Sequence, residues 1–158
     1  MKKLTGQRMA LRILLVAIVG LVAACSNESG PYLEVGGGGF IFNYRLATAY
    51  AGMVVGPLRL LPENSTIEVT FENPAGGAQF VLTQQTAPET KRYTFTIEPL
   101  TGIRANVDYL ATVRLIDAGG RELQRIEKKY RSEVDQAILP EKPLTIGPGY
   151  TPNPEAVE

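Results

Sequence analysis

Side chains able to do covalent or acid–base chemistry are few in this chain. Its 158 residues include no His, no Trp and a single Cys, at position 25. Without imidazole or a second thiol there is no His-assisted nucleophile, no disulfide within the chain, and no metal site built from several His or Cys ligands. The serines, at 26, 29, 65 and 132, lie outside any Gly-x-Ser-x-Gly, and none is followed three residues on by Lys. Paired carboxylates can hydrolyse glycosides without His. Glu68, Glu72 and Glu98, however, alternate with apolar residues, as on the solvated face of strands. Asp108, Asp117 and Asp135 are too scattered for a calcium loop. The run Gly36 to Gly39 could offer backbone amides to an anion, but no Lys-Ser or Lys-Thr follows it, and it reads as a linker. The expectation is a chain that is not an enzyme, with no catalytic residues, no cofactor and no metal.

The one Cys closes a leader. Met1 to Arg12 carries Lys2, Lys3, Arg8 and Arg12 with no acidic residue, and Ile13 to Ala24 is apolar apart from Gly20. This is the charged region and apolar core of a secretory signal. Twelve residues rise about 18 Å as a helix, against a hydrocarbon core of about 30 Å, too short to span comfortably. A plain cleaved signal, or an uncleaved anchor, with a chance Cys is the competing reading of these residues.

Leu21-Val22-Ala23-Ala24-Cys25 resembles the lipobox of bacterial lipoproteins. The resemblance implies lipid attachment at Cys25 and cleavage between Ala24 and Cys25, with the new amine acylated. One acyl chain holds marginally at about 0.8 kcal/mol per buried methylene, whereas two or three hold durably. The implied location is the bacterial cell envelope, with the membrane engaged through the lipid. Asp after the Cys favours inner-membrane retention in enteric members; here residue 26 is Ser, which implies the outer membrane, facing the periplasm. In that setting Asn64-Ser65-Thr66 reads as a turn, not a glycosylation site.

Cleavage changes the charge. The whole chain has 16 basic and 16 acidic side chains; without the four leader bases, 134 residues carry a formal −4. That balance offers no electrostatic footprint for nucleic acid. The densest basic cluster, Arg125, Lys128, Lys129 and Arg131, is interrupted by Glu127 and flanked by Glu133, and reads as a solvated strand face.

Four regions follow from composition: residues 1–24 as signal, 25–39 as lipidated Cys and Gly-rich tether, 40–130 as folded domain, and 131–158 as a Pro-rich arm. Within the domain apolar residues alternate with polar ones, as in Ile67, Val69, Phe71 and in Tyr93, Phe95, Ile97. Period two with turn signals between runs predicts antiparallel strands near 40–50, 53–61, 65–72, 78–84, 91–98, 107–117 and 121–130. Seven short strands predict an all-β, two-sheet antiparallel sandwich. In the last segment Leu123, Ile126, Tyr130 and Val134 also fit helical spacing, but Asp117-Ala118-Gly119-Gly120 favours a hairpin and hence a strand.

Leu100 to Leu115 (LTGIRANVDYLATVRL) resembles the corresponding stretch of fibronectin type III domains, with Ile103 six residues before Tyr109 and Val113 and Leu115 continuing the alternation. The resemblance implies a fibronectin type III-like or immunoglobulin-like sandwich in which Tyr109 forms a structural tyrosine corner. Ala105 stands where Pro is common, and no Trp fills the core; Phe71 or Phe80 would take that space.

The arm holds Pro140, Pro143, Pro148, Pro152 and Pro154 among apolar Leu139, Leu144, Ile146 and Tyr150. Packing on its own domain, capture of a partner, and disorder all suit that composition. Two functions follow: a non-catalytic envelope lipoprotein that binds another envelope protein or serves structurally, or a small-ligand or glycan-binding module using Tyr32, Tyr50 and Tyr150.

Overall fold

The computed structural model describes residues 30–156. Residues 1–24, expected as the signal, Ala24 among them, and Cys25 lie outside the described residues. The described chain forms β1 (Leu33–Asn43), β2 (Thr48–Pro57), β3 (Thr66–Phe71), β4 (Phe80–Gln85), β5 (Tyr93–Leu100), β6 (Asp108–Ile116) and β7 (Glu122–Arg131). A short 3-10 turn (Gln136–Ile138), the two-residue strands β8 (Thr145–Ile146) and β9 (Thr151–Pro152), and a second 3-10 turn (Pro154–Ala156) follow. The strand order is β1-β2-β5 in one sheet and β4-β3-β6-β7 in the other, with all pairings antiparallel.

Period-two patterning explains the arrangement. Ala49, Ala51, Met53 and Val55 of β2 are buried, as are Ile67, Val69 and Phe71 of β3 and Tyr109, Ala111, Val113 and Leu115 of β6. These inward faces meet Tyr93, Phe95 and Ile97 of β5 in one core, and the intervening side chains face water. Where no Trp is present, aromatic rings combine. Phe40 meets Phe71 edge-on at 5.8 Å and Tyr109 at 5.4 Å, while Phe71 stacks on Tyr130 at 5.8 Å. Phe71 therefore occupies the core, and Phe80 lies only partly buried at its margin.

The first two strands differ from the expectation. The glycine run is not a spacer: Gly37, Gly38 and Gly39 pair with Val54, Met53 and Gly52, and a bulge skips Gly36. Close approach explains the composition, because a Cβ on Gly38 would lie 2.6 Å from both the Gly52 carbonyl oxygen and the Tyr130 hydroxyl. The expected 40–50 strand is broken at Asn43, whose Oδ1 accepts the Leu46 N–H at 3.2 Å, and the chain reverses with Ala47 at φ 53°. Tyr44 and Leu46 are consequently exposed, and the gap expected between strands 40–50 and 53–61 lies inside β2, with Gly52 in its middle. The tether thus ends before Leu33, and the sandwich spans 33–131. The expected strands from 65–72 onward differ from β3 to β7 by one or two residues at each end, within ordinary boundary variation.

The last segment is a strand. Tyr130 faces the core opposite Tyr109, Val134 is exposed beyond the strand end, and the register of β7 runs along β6 from Glu122 to Arg131.

Candidate functional site

The strand connections place every loop at one of two poles. Leu33 pairs with Pro57, Val55 with Tyr93, and Thr66 with both Gln85 and Ile116. One pole, the entry pole, therefore gathers the start of β1 with the β2–β3, β4–β5 and β6–β7 connections. The other, the distal pole, gathers the β1–β2, β3–β4 and β5–β6 connections and the start of the arm.

At the distal pole Tyr109 is buried at 3% exposure. Its hydroxyl accepts the Arg104 N–H at 2.9 Å and donates to the Gly102 carbonyl at 3.4 Å. Gly102 is required there, since its φ is +83° and a Cβ would meet the Ala75 backbone at 2.7 Å. The arm covers the same connection. Gln136 accepts the Ile103 N–H on Oε1 at 3.2 Å and donates through Nε2 to the Leu100 carbonyl at 2.7 Å. Asp135 accepts the Ala105 N–H at 3.0 Å, and Ser132 O accepts the Asn106 N–H at 2.7 Å. The backbone of the β5–β6 crossover is thus satisfied by one tyrosine and the first turn of the arm.

Further along, Arg45 anchors the arm. Its carbonyl accepts N–H groups of Leu144 and Thr145 at 2.9 and 3.3 Å, its Nη1 donates to Gly149 O at 2.9 Å, and its guanidinium lies 5.1 Å from the Tyr150 ring centre. Asn153, buried, ties Pro143 and Leu144 together through its side-chain and main-chain N–H groups. The described arm therefore packs on its own domain. It still presents Leu144, Ile146 and Tyr150, the last 83% exposed.

The entry pole carries a groove of about 600 Å³ between Pro57–Asn64 and Thr86–Lys91. Leu58 and Leu60 are exposed beside it, and the Arg59 guanidinium sits 3.5 Å over the Tyr32 ring. The three tyrosines considered for ligand binding do not converge: Tyr32 lies at the entry pole, Tyr150 in the arm, and Tyr50 half-buried in β2 opposite Ile41.

On the outer face of the larger sheet, several of the charged residues are paired. Arg114 donates to Glu68 at 2.7 Å, Arg125 to Glu122 at 2.9 Å, and Arg131 to Asp108 at 2.6 Å, with Lys129 3.8 Å from Asp108. The Arg131 hydrogen bond is the main cause holding the Asp108 carboxyl below its ordinary range, and the Arg125 hydrogen bond does the same for Glu122. Much of the basic cluster is thereby matched with acid. Among the described residues no three His, Cys, Asp or Glu side chains gather to hold a metal.

Sequence reasoning missed two glutamines that bridge the sheets. Gln124 of β7 accepts the Tyr32 and Leu33 N–H groups on Oε1 at 2.6 and 2.9 Å, and its Nε2 donates to the Leu33 carbonyl at 2.9 Å. Gln84 of β4 donates to the Thr94 carbonyl of β5 at 2.7 Å. A side-chain amide carries the same donor and acceptor as a peptide, so each glutamine joins strands of opposite sheets. A lone Gln in a strand gives no spacing signal for this.

No protein-family model matches the chain, and no curated protein matches it significantly.

Proposed function

We propose that this protein is a non-catalytic cell-envelope lipoprotein, held in the membrane through an acylated Cys25 and acting as a protein-interaction or structural module in the periplasm. The observation that carries the reading is the placement of the only Cys directly after an apolar run ending Leu21-Val22-Ala23-Ala24, behind four basic residues. Ser26 favours the outer membrane. The strand order β1-β2-β5 over β4-β3-β6-β7 and the Tyr109 hydroxyl contacts support a fibronectin type III-like topology, in which Tyr109 acts structurally.

Exposed Leu144, Ile146 and Tyr150 on an arm fixed by Arg45 favour contact with another envelope protein. A small-ligand or glycan module is less well supported, because Tyr32 and Tyr150 sit at opposite poles. A photo-crosslinking side chain at Ile146 in intact cells, with one at Val81 of β4 as control, tests the interaction. The expected product is an adduct to one envelope protein from position 146 alone, reduced by Leu144→Asp. Equal or absent adducts from both positions would contradict the arm as the contact surface.

A further inference from the structure

Resting on the acylation of Cys25 proposed above, we propose that the entry pole is a membrane-contacting surface, with Leu58 and Leu60 entering the headgroup region of the bilayer that holds the anchor. Chain entry and the exposed leucines are locked together. Leu33 pairs with Pro57, the Leu58 N–H donates to the Tyr32 carbonyl at 2.8 Å, and Arg59 stacks over the Tyr32 ring. Leu58 is 49% exposed and Leu60 is 83% exposed. A single exposed leucine is ordinary on a protein surface. These two lie in one Leu-Arg-Leu-Leu segment between Pro57 and Pro62, with Pro88 across the groove.

Chain length favours the entry pole as the one facing the lipid. Cys25 precedes Leu33 by eight residues, a reach of no more than about 28 Å even when fully extended. Strand β2, with ten residues, is about 33 Å long. The lipid attachment point therefore falls short of the distal pole, and the proposed contact turns the arm at that pole away from the bilayer. The charges around the groove do not demand an anionic surface: Arg59, Lys91 and Arg92 are offset by Glu34, Glu63 and Glu89. Partition of apolar side chains into the interface, added to the acyl chains, supplies the attraction. Such contact restrains the swing of the domain about its short tether and orients the arm into the periplasm.

The absence of Trp makes a clean test available. Protein purified from bacterial membranes and carrying Leu60→Trp is reconstituted into phosphatidylethanolamine–phosphatidylglycerol vesicles containing a lipid brominated high on its acyl chain. Leu144→Trp, on the distal arm, is the control, and both positions are exposed in the folded domain. The Leu60→Trp reporter is expected to be blue-shifted and quenched severalfold more than Leu144→Trp. Equal quenching of the two, or stronger quenching of Leu144→Trp, would overturn the assignment. A Leu60→Trp reporter shielded from water but untouched by the lipid quencher would give the surface to a protein or small ligand and overturn it equally. Intact mass of the same sample separates the two readings: acylated protein with an unquenched reporter sinks only the membrane-facing pole, whereas an unmodified Cys25 removes the lipoprotein reading together with it.

Discussion

Single atoms decide much of the stability of this sandwich. The Tyr109 hydroxyl serves both Arg104 and Gly102 while its ring sits in the aromatic cluster, so Tyr109→Phe keeps the packing and removes only the polar contacts. A loss of about 1 kcal/mol in urea unfolding is expected, and an unchanged midpoint would show that the corner is held by the arm alone. Tyr130 presents the opposite case. Its hydroxyl is buried with no hydrogen-bond partner among the described residues, and burial raises its pKa above the ordinary value. Tyr130→Phe should therefore be neutral or mildly stabilising in the same assay. Because the folded state holds that proton more tightly than the unfolded chain, the wild type loses stability as pH rises above about 10, and the Phe variant loses less. Gly38→Ala pushes a Cβ against the Gly52 carbonyl and the same hydroxyl, at an expected cost of about 1–3 kcal/mol.

Between elements, Gln124 holds the start of β1 to β7 with three hydrogen bonds. Gln124→Ala should cost on the order of 2 kcal/mol and accelerate amide exchange at Leu33 far more than at Val69 in the core; uniform acceleration would mean that the bridge does not act locally. The carboxylates Asp108, Asp117 and Glu122 have pKa values below their ordinary range through bonds from Arg131, the Arg121 N–H and Arg125 respectively. Depressed values in the fold mean that their stabilisation is present at neutral pH and fades as pH falls below about 4. Asp108 and Glu122 are exposed and Asp117 is half-buried at the surface, so the effect is small. The triple change Asp108→Asn, Asp117→Asn, Glu122→Gln should flatten the acid limb of stability against pH, and an unaltered limb would count against these pairs. Strands β3 to β6 were legible because Ile67, Val69, Phe71 and their counterparts alternate between strong turn signals, whereas β7, whose Leu123, Ile126 and Tyr130 also fit helical spacing, was legible only through the Asp117–Gly120 turn before it. The first strand was not, because its glycines bear no side chain to alternate and Phe42, Tyr44 and Leu46 mimic a strand across a turn set by Asn43. The Gln124 and Gln84 bridges were equally hidden, since they arise only when two sheets meet.

At the scale of the whole molecule, the fold separates two ends with different surroundings. The entry pole receives the start of β1 and exposes Leu58 and Leu60; the distal pole carries the arm on Arg45. With Cys25 acylated as proposed, the domain is anchored at one end and presents apolar side chains at the other, an arrangement that suits a spacer between membrane and partner. Everything in that account depends on Cys25. The most direct measurement is the intact mass of the protein purified from bacterial membranes, with Cys25→Ser alongside. The expected mass for the wild type is a chain beginning at Cys25 with acyl groups added, and for the variant a full-length chain without them. A wild-type chain cut elsewhere, or beginning at Cys25 without acyl groups, would contradict the lipoprotein assignment.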